Sequence, residues 1–219
     1  MQVVYETEEK WLASRGQGIG GSDSACIVGA NPYKSNIELW EEKIGLRKPD
    51  DISSNPKVRY GKMAEKHLVS LFALDYPEYE VNYNDNCRVN YCDAYPFIYC
   101  TRDCDLFDRR TGEKGALEIK TTTISSRIQA QQWEGRIPEN YYCQVLQYFI
   151  TDPEIKFVIV KAQLRSGIAG DKLETRHYWF YRDDKTCRED GVFLLNEEIK
   201  FWKQFVLKKK RPARLLPNI

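Results

Sequence analysis

Apolar residues recur at two spacings along this chain, and the alternation between them predicts its elements. Period-two runs read as strands at Tyr79–Tyr83, Cys87–Tyr91, Ile98–Phe107, Ala116–Thr122, Lys156–Leu164 and Glu174–Arg182. Helical spacing predicts a short helix around Trp11 and a second carrying Ala25, Cys26, Ile27 and Val28, capped by Ser22 or Asp23. A third, capped by Ser35 or Asn36, carries Ile37, Leu39, Trp40 and Ile44. Ala64, Leu68, Leu71 and Phe72 mark a helix over about 58–74. Ser125–Gly135 reads as a polar helix, and Pro138 opens another through Thr151, with Tyr141, Val145 and Tyr148 on one side. Asp183 or Asp184 caps a C-terminal helix with Val192, Leu195, Ile199, Trp202 and Phe205 as its apolar stripe. Residues 46–57, polar and with two prolines, read as a mobile linker. Helices at both ends with strands between them predict an α+β chain with an α/β-type core, a mixed central sheet flanked by helices. No second core is evident, so one domain is expected over 1–219.

Composition narrows this picture. The 219 residues can bury one substantial core, and 42% hydrophobic with 30% charged residues is an ordinary globular balance. The net charge of +1 supplies no global field for nucleic acid, so any basic surface must be local. The one basic cluster is Lys208–Pro217, which reads equally as a solvated helix end or as a DNA or partner contact. Seven cysteines without a CxxC pair, and only two histidines, argue against zinc or iron–sulfur. No apolar run is long enough to span a bilayer, so no membrane partner is expected. The first residues have no signal-peptide pattern, which predicts a cytoplasmic, reduced chain.

Chemistry concentrates in Tyr99–Thr123, read as a hairpin. Period-two geometry puts Glu118 and Lys120 on one face of its second strand, with Leu117 and Ile119 on the other. Asp103 and Asp105 share a face of the partner strand. Three hard oxygen donors beside a lysine suit a magnesium or manganese ion and an activated water, although a surface salt bridge has the same pattern. The glycine-rich Gly16–Gly21 turn ahead of a helix is also a phosphate-binding pattern, to which Arg15 and Ser22 add donors, or simply a capped turn. Glu65 sits on the edge of the 58–74 apolar stripe, where a glutamate is more often solvated.

Four blocks occur in order: GIGGSDSACIVGANPYKSNIELWEEKIG, YGKMAEKHLVSLF, LEIKTT and YYCQVLQYFIT. Together they resemble the YqaJ-like viral recombinase family, the phage lambda exonuclease family, within the PD-(D/E)xK nucleases of restriction-endonuclease-like fold. The resemblance covers about Trp11–Thr151. It implies that Asp103 and Glu118 bind metal with the Ile119 carbonyl, and that Lys120 positions and helps deprotonate the attacking water. It implies a second metal contact at Glu65, a glutamine near the site at Gln144, and a DNA phosphate held by Arg15 and Ser22. Asp93 falls where lambda exonuclease also has an aspartate near its site, and Thr101 adjoins the metal aspartate. The family has Pro and Gly around that aspartate where this chain has Thr101-Arg102-Asp103-Cys104-Asp105, so Asp105 is an alternative ligand.

The implied activity is magnesium- or manganese-dependent 5′→3′ digestion of linear double-stranded DNA, with two ions in catalysis, leaving 3′ single strands. Implied partners are DNA ends, a phage single-strand annealing protein and further copies of the chain in a ring-shaped trimer, in a host cell carrying the phage or prophage. On this reading, about 8–75 binds DNA ends, about 76–182 holds the catalytic sheet and helices, and 183–219 forms the C-terminal helix and basic tail. Rival readings are a structure- or site-specific endonuclease on the same fold and a catalytically silent DNA binder.

Overall fold

The computed structural model describes residues 1–84, 88–167 and 172–215, without the side chains of Glu8 and Arg15. A five-stranded sheet forms its centre, built from β2 (Tyr79–Tyr83), β5 (Cys104–Asp108), β6 (Lys114–Thr123), β7 (Ile155–Ser166) and β8 (Lys172–Tyr181) in that spatial order. Neighbours are antiparallel except β6 and β7, which run parallel. A parallel pair needs a long crossover. Here it contains the short helix α5 (Arg127–Gln131) and α6 (Glu139–Thr151). A smaller sheet joins β1 (Gln2–Val4), β3 (Arg88–Tyr91) and β4 (Tyr99–Cys100). The expected mixed sheet with flanking helices is what forms.

Each face of β6 packs its own helix. Leu117 and Ile119 join Leu68, Val69 and Phe72 of α4 (Pro56–Asp75) in one cluster. Ala116 lies on the opposite face with Val158, Val160 and Ala162, under Val145, Tyr148 and Phe149 of α6. Phe72, Leu117, Val145 and Tyr148 are fully buried, so truncating any of them to Ala should cost about 2–5 kcal/mol. The remaining helices are α1 (Glu8–Ser14), α2 (Gly21–Ile27), α3 (Asn36–Lys43) and α7 (Lys185–Lys200), the last running into a π-helical turn at Phe201–Val206.

Several expected boundaries shift, each for a physical reason. The strand expected over Ile98–Phe107 is two strands in two sheets, β4 and β5, with Thr101–Asp103 between them. Buried Arg102 sits at that break, reaching Asn90 of β3, Asp105 of β5 and Asp152 just beyond α6. The α2 N-cap is Gly20, and Asp23 accepts from its N–H at 3.1 Å, so neither Ser22 nor Asp23 is the cap. Asn55 caps α4 two residues earlier than expected, taking the end of the proline-bearing linker into the helix. On α7 the buried residues are Cys187, Leu194 and Glu198, while Val192 is exposed. The inward stripe is therefore offset from the one expected. Cys87, at the start of an expected strand, and Leu216–Pro217 of the basic tail lie outside the described residues.

Candidate active site

The site forms where the sheet loses a strand. β5 pairs with β6 only over Lys114–Leu117, so from Glu118 to Thr123 the β6 edge facing β5 has no partner strand. At that open edge Asp103 replaces the missing strand, its Oδ2 accepting from the Ile119 N–H at 2.7 Å. A strand residue sends its C=O to the same side as its N–H, so the Ile119 carbonyl also faces Asp103. With the strand absent, groups from both faces of the sheet can reach one place.

The α6 face supplies a tight polar network. Glu118 is 3% exposed, and its two carboxylate oxygens accept from Lys120 Nζ, from Gln144 Nε2 at 2.8 Å and from the Tyr148 hydroxyl. Gln144 turns its Oε1 to Lys120 Nζ at 3.0 Å and its Nε2 to the Tyr148 oxygen at 3.1 Å. Lys120 Nζ lies 4.9 Å from the centre of the Tyr141 ring, a cation–π contact. Tyr141, Gln144 and Tyr148 are spaced three and four along α6, which puts them on one face of the helix. From the α4 side comes Glu65, whose Oε1 accepts from the Tyr83 hydroxyl of β2 at 3.0 Å. Gly61 lets α4 pass close to β6, since a Cβ there would meet Thr121 Oγ1 at 3.0 Å.

The electrostatics show three carboxylates sharing one region. Burial pushes the Asp103 carboxyl well above the usual range, and Glu118 and then Glu65 add to the rise against Lys120 and the Ile119 N–H. Burial also raises Glu65; Tyr83 offsets part of this and Glu118 adds to it. Burial alone would lower the Lys120 ammonium, but Glu118 and Asp103 outweigh it and hold its pKa above the ordinary lysine value. Carboxylates crowded at one place form a site that a cation stabilises.

The sequence-derived residues divide into two groups. Asp103, Glu118, Ile119, Lys120, Gln144 and Glu65 converge, and the Thr101 carbonyl lies 3.3 Å from the Tyr148 hydroxyl. Asp105 does not join them: its oxygens meet Arg102 at 2.8 Å and Arg88 at 3.2 Å. Asp93 pairs with the N-terminal amine of Met1 and lines a separate cavity with Arg102, Asp105 and Asp152. Ser22 is exposed in the first turn of α2, next to Gly21, where a Cβ would meet Gln144 Cγ at 3.3 Å. The Arg15 side chain lies outside the described residues. Tyr83 and Tyr148 carry no site signal of their own in the sequence, because tyrosines at apolar-stripe positions read as core. The available signal for Tyr148 was its place one turn beyond Gln144 on the same helix face.

The model for the YqaJ-like viral recombinase domain matches residues 10–152. The chain belongs to that family. YqaJ of Bacillus subtilis (strain 168), described as uncharacterized, is 32% identical over 213 residues, 94% of this chain and 59% of that protein, so the chain spans about three fifths of that relative's length. Among solved structures, the alkaline exonuclease LHK-Exo of Laribacter hongkongensis superposes with a TM-score of 0.64 at 14% identity, over 92% of this chain and 96% of that one. A phage-related exonuclease from Haemophilus somnus 129PT gives 0.55 at 11% identity, over 88% and 96%. At these identities the likeness is one of fold, a central mixed sheet flanked by helices. Among the described residues no helix is long and apolar enough to cross a membrane.

Proposed function

We propose that the chain is a metal-dependent exonuclease that digests linear double-stranded DNA 5′→3′ and leaves 3′ single-stranded tails for recombination by strand annealing. The observation that carries this reading is the convergence of Asp103, Glu118, Glu65 and Lys120 at the open edge of β6, in a chain of the viral recombinase family. The donor set fits a magnesium or manganese ion by its chemistry. It consists of hard oxygens from carboxylates gathered at one place, with no sulfur or imidazole among them. Among the described residues, no three such side chains already stand in metal-holding geometry.

A bound divalent cation supplies charge neutralisation on the phosphodiester and a water of lowered pKa. Asp103, Glu118 and the Ile119 carbonyl would hold it, with Glu65 serving a second ion. The protein's own contribution is orientation. Tyr148 and Gln144 fix the Glu118 carboxylate, the Ile119 N–H fixes Asp103, and Tyr83 fixes Glu65. Lys120, held beside Gln144 and over the Tyr141 ring, would orient the attacking water through Nζ and assist its proton transfer, for about 10²- to 10⁴-fold in rate. Arg15 and Ser22, carried over from the family pattern, would hold the 5′-terminal phosphate. An annealing-protein partner and a ring-shaped trimer belong to the same reading.

The test is digestion of linear duplexes labelled at either the 5′ or the 3′ end, beside covalently closed circles, with and without magnesium. The expected result is magnesium-dependent loss of the 5′ label first, with circles left intact. Nicked or linearised circles would replace this reading with an endonuclease, and no cleavage in magnesium or manganese would replace it with a DNA binder.

A further inference from the structure

The cleft that receives Glu65 and Lys120 has a far wall that the mechanism above does not use. It measures about 810 Å³ and extends from those two residues along Thr121–Thr123 to Arg165, Tyr60 and the rim tyrosine Tyr33. Arg165, near the end of β7, sits opposite Thr123 in the β6–β7 register, five positions beyond the Glu118–Val160 pair. At about 3.3 Å per residue that is roughly 16 Å along the strand from Glu118.

Arg165 is built into this wall. Its guanidinium carbon lies 4.2 Å from the centre of the Tyr60 ring. The Tyr60 hydroxyl donates to Gln163 Oε1 at 2.6 Å, which fixes the ring and the cation on it. Several arginines face carboxylates instead, as Arg102 and Arg88 face Asp105 and Arg176 faces Glu174. Among the described residues no carboxylate pairs with Arg165, and its buried Nε has no hydrogen-bond partner. A cation held without a carboxylate beside it remains available to an anion entering the cleft. A guanidinium stacked on an aromatic face still offers its N–H edge, whose geometry matches two phosphate oxygens.

We propose that Arg165, held over the Tyr60 ring, clamps a backbone phosphate of the DNA strand being cut, a few nucleotides from the bond at Glu118 and Lys120. The clamp rests on the nuclease reading for which strand it grips, and on Arg165 and Tyr60 alone for its chemistry. It acts in binding and register, apart from the carboxylates.

The test measures Arg165→Ala, Arg165→Lys and Tyr60→Leu against the parent protein. One arm is fluorescence anisotropy of a labelled duplex oligonucleotide over a sodium chloride series without divalent metal. The other is initial digestion rates of a linear duplex in magnesium. Arg165→Ala should weaken binding and raise KM about tenfold with kcat within about twofold, and lower the slope of log affinity against log salt by about one. Arg165→Lys should restore the slope but only part of the affinity, and Tyr60→Leu should lose affinity with a smaller change in slope. Unchanged affinity, KM and slope in Arg165→Ala would overturn the clamp, as would a loss confined to kcat. A parent that binds duplex with the Arg165-dependent slope yet cuts nothing refutes the nuclease reading and leaves the clamp standing. A parent that neither binds nor cuts refutes both.

Discussion

Asp103 and Asp105 stand two residues apart, and strand parity assigns them the same face, yet they end in opposite electrostatic company. Asp105 is neutralised by Arg102 and Arg88. Asp103 meets two further carboxylates, Glu118 and Glu65, against the charge of Lys120, which also pairs with Glu118. Their fates separate because β5 starts at Cys104. Asp105 lies within the paired strand beside Arg102, while Asp103 lies beyond the strand's end, against the unpaired edge of β6. A carboxylate becomes a candidate metal ligand through its shortage of positive neighbours, and sequence parity does not record that.

The largest expected effect breaks the pair apart through activity. Glu118→Ala and Lys120→Ala should each remove magnesium-dependent DNA cleavage, by at least about 10²-fold, while circular dichroism reports a folded protein. Retained cleavage in either purified variant would remove the catalytic assignment.

The second effect reads on stability. Asp105→Asn strips a partner from buried Arg102 and should cost about 1–3 kcal/mol, lowering Tm by roughly 5 °C in thermal melts. Asp103→Asn relieves mutual repulsion and should melt at or above the parent temperature. A reversed order would mean that Asp105 carries the strain.

A third comparison uses magnesium as the probe. Saturating magnesium should raise the parent Tm by a few degrees through preferential binding to the folded state, and should leave Asp103→Asn unmoved. Equal shifts in both would place the ion elsewhere.

The smallest effect comes from a control carboxylate. Glu198 on α7 is fully buried, and burial, with Asp23 nearby, pushes its pKa well above the usual value against a smaller contribution from Gln147. A carboxyl raised in the folded state contributes stability that is complete below the ordinary carboxylate range and is lost as pH rises through the raised value. Glu198→Gln should therefore stabilise the protein by about 1–2 kcal/mol at alkaline pH and change little in acid, measured by urea unfolding at several pH values. It should keep the magnesium-dependent Tm shift, because a lone buried carboxyl is no cation site.

Much of this architecture was legible in the sequence. Period-two alternation located β2, β6, β7 and β8 to within two residues, and placed Glu118 and Lys120 opposite Leu117 and Ile119. Alternation reports which face a residue takes but not which sheet, so the change of sheet at Thr101–Asp103 was invisible. Arg102, the buried charge that sits at the change, reads in the sequence as an ordinary surface residue. Ordered blocks brought Glu65 and Gln144 to the site, although helical spacing alone left Glu65 solvated. Tyr83 and Tyr148 read as core because their rings pack against it while their hydroxyls hold the carboxylates. Arg165 escaped because its stacking partner Tyr60 lies over a hundred residues away.

The most direct test of the central claim is the release of acid-soluble nucleotides from a linear duplex in magnesium by three proteins side by side: parent, Asp103→Asn and Asp105→Asn. The account predicts release by the parent and by Asp105→Asn at comparable rates, and none by Asp103→Asn. Activity in Asp103→Asn, or its loss in a folded Asp105→Asn, would contradict it.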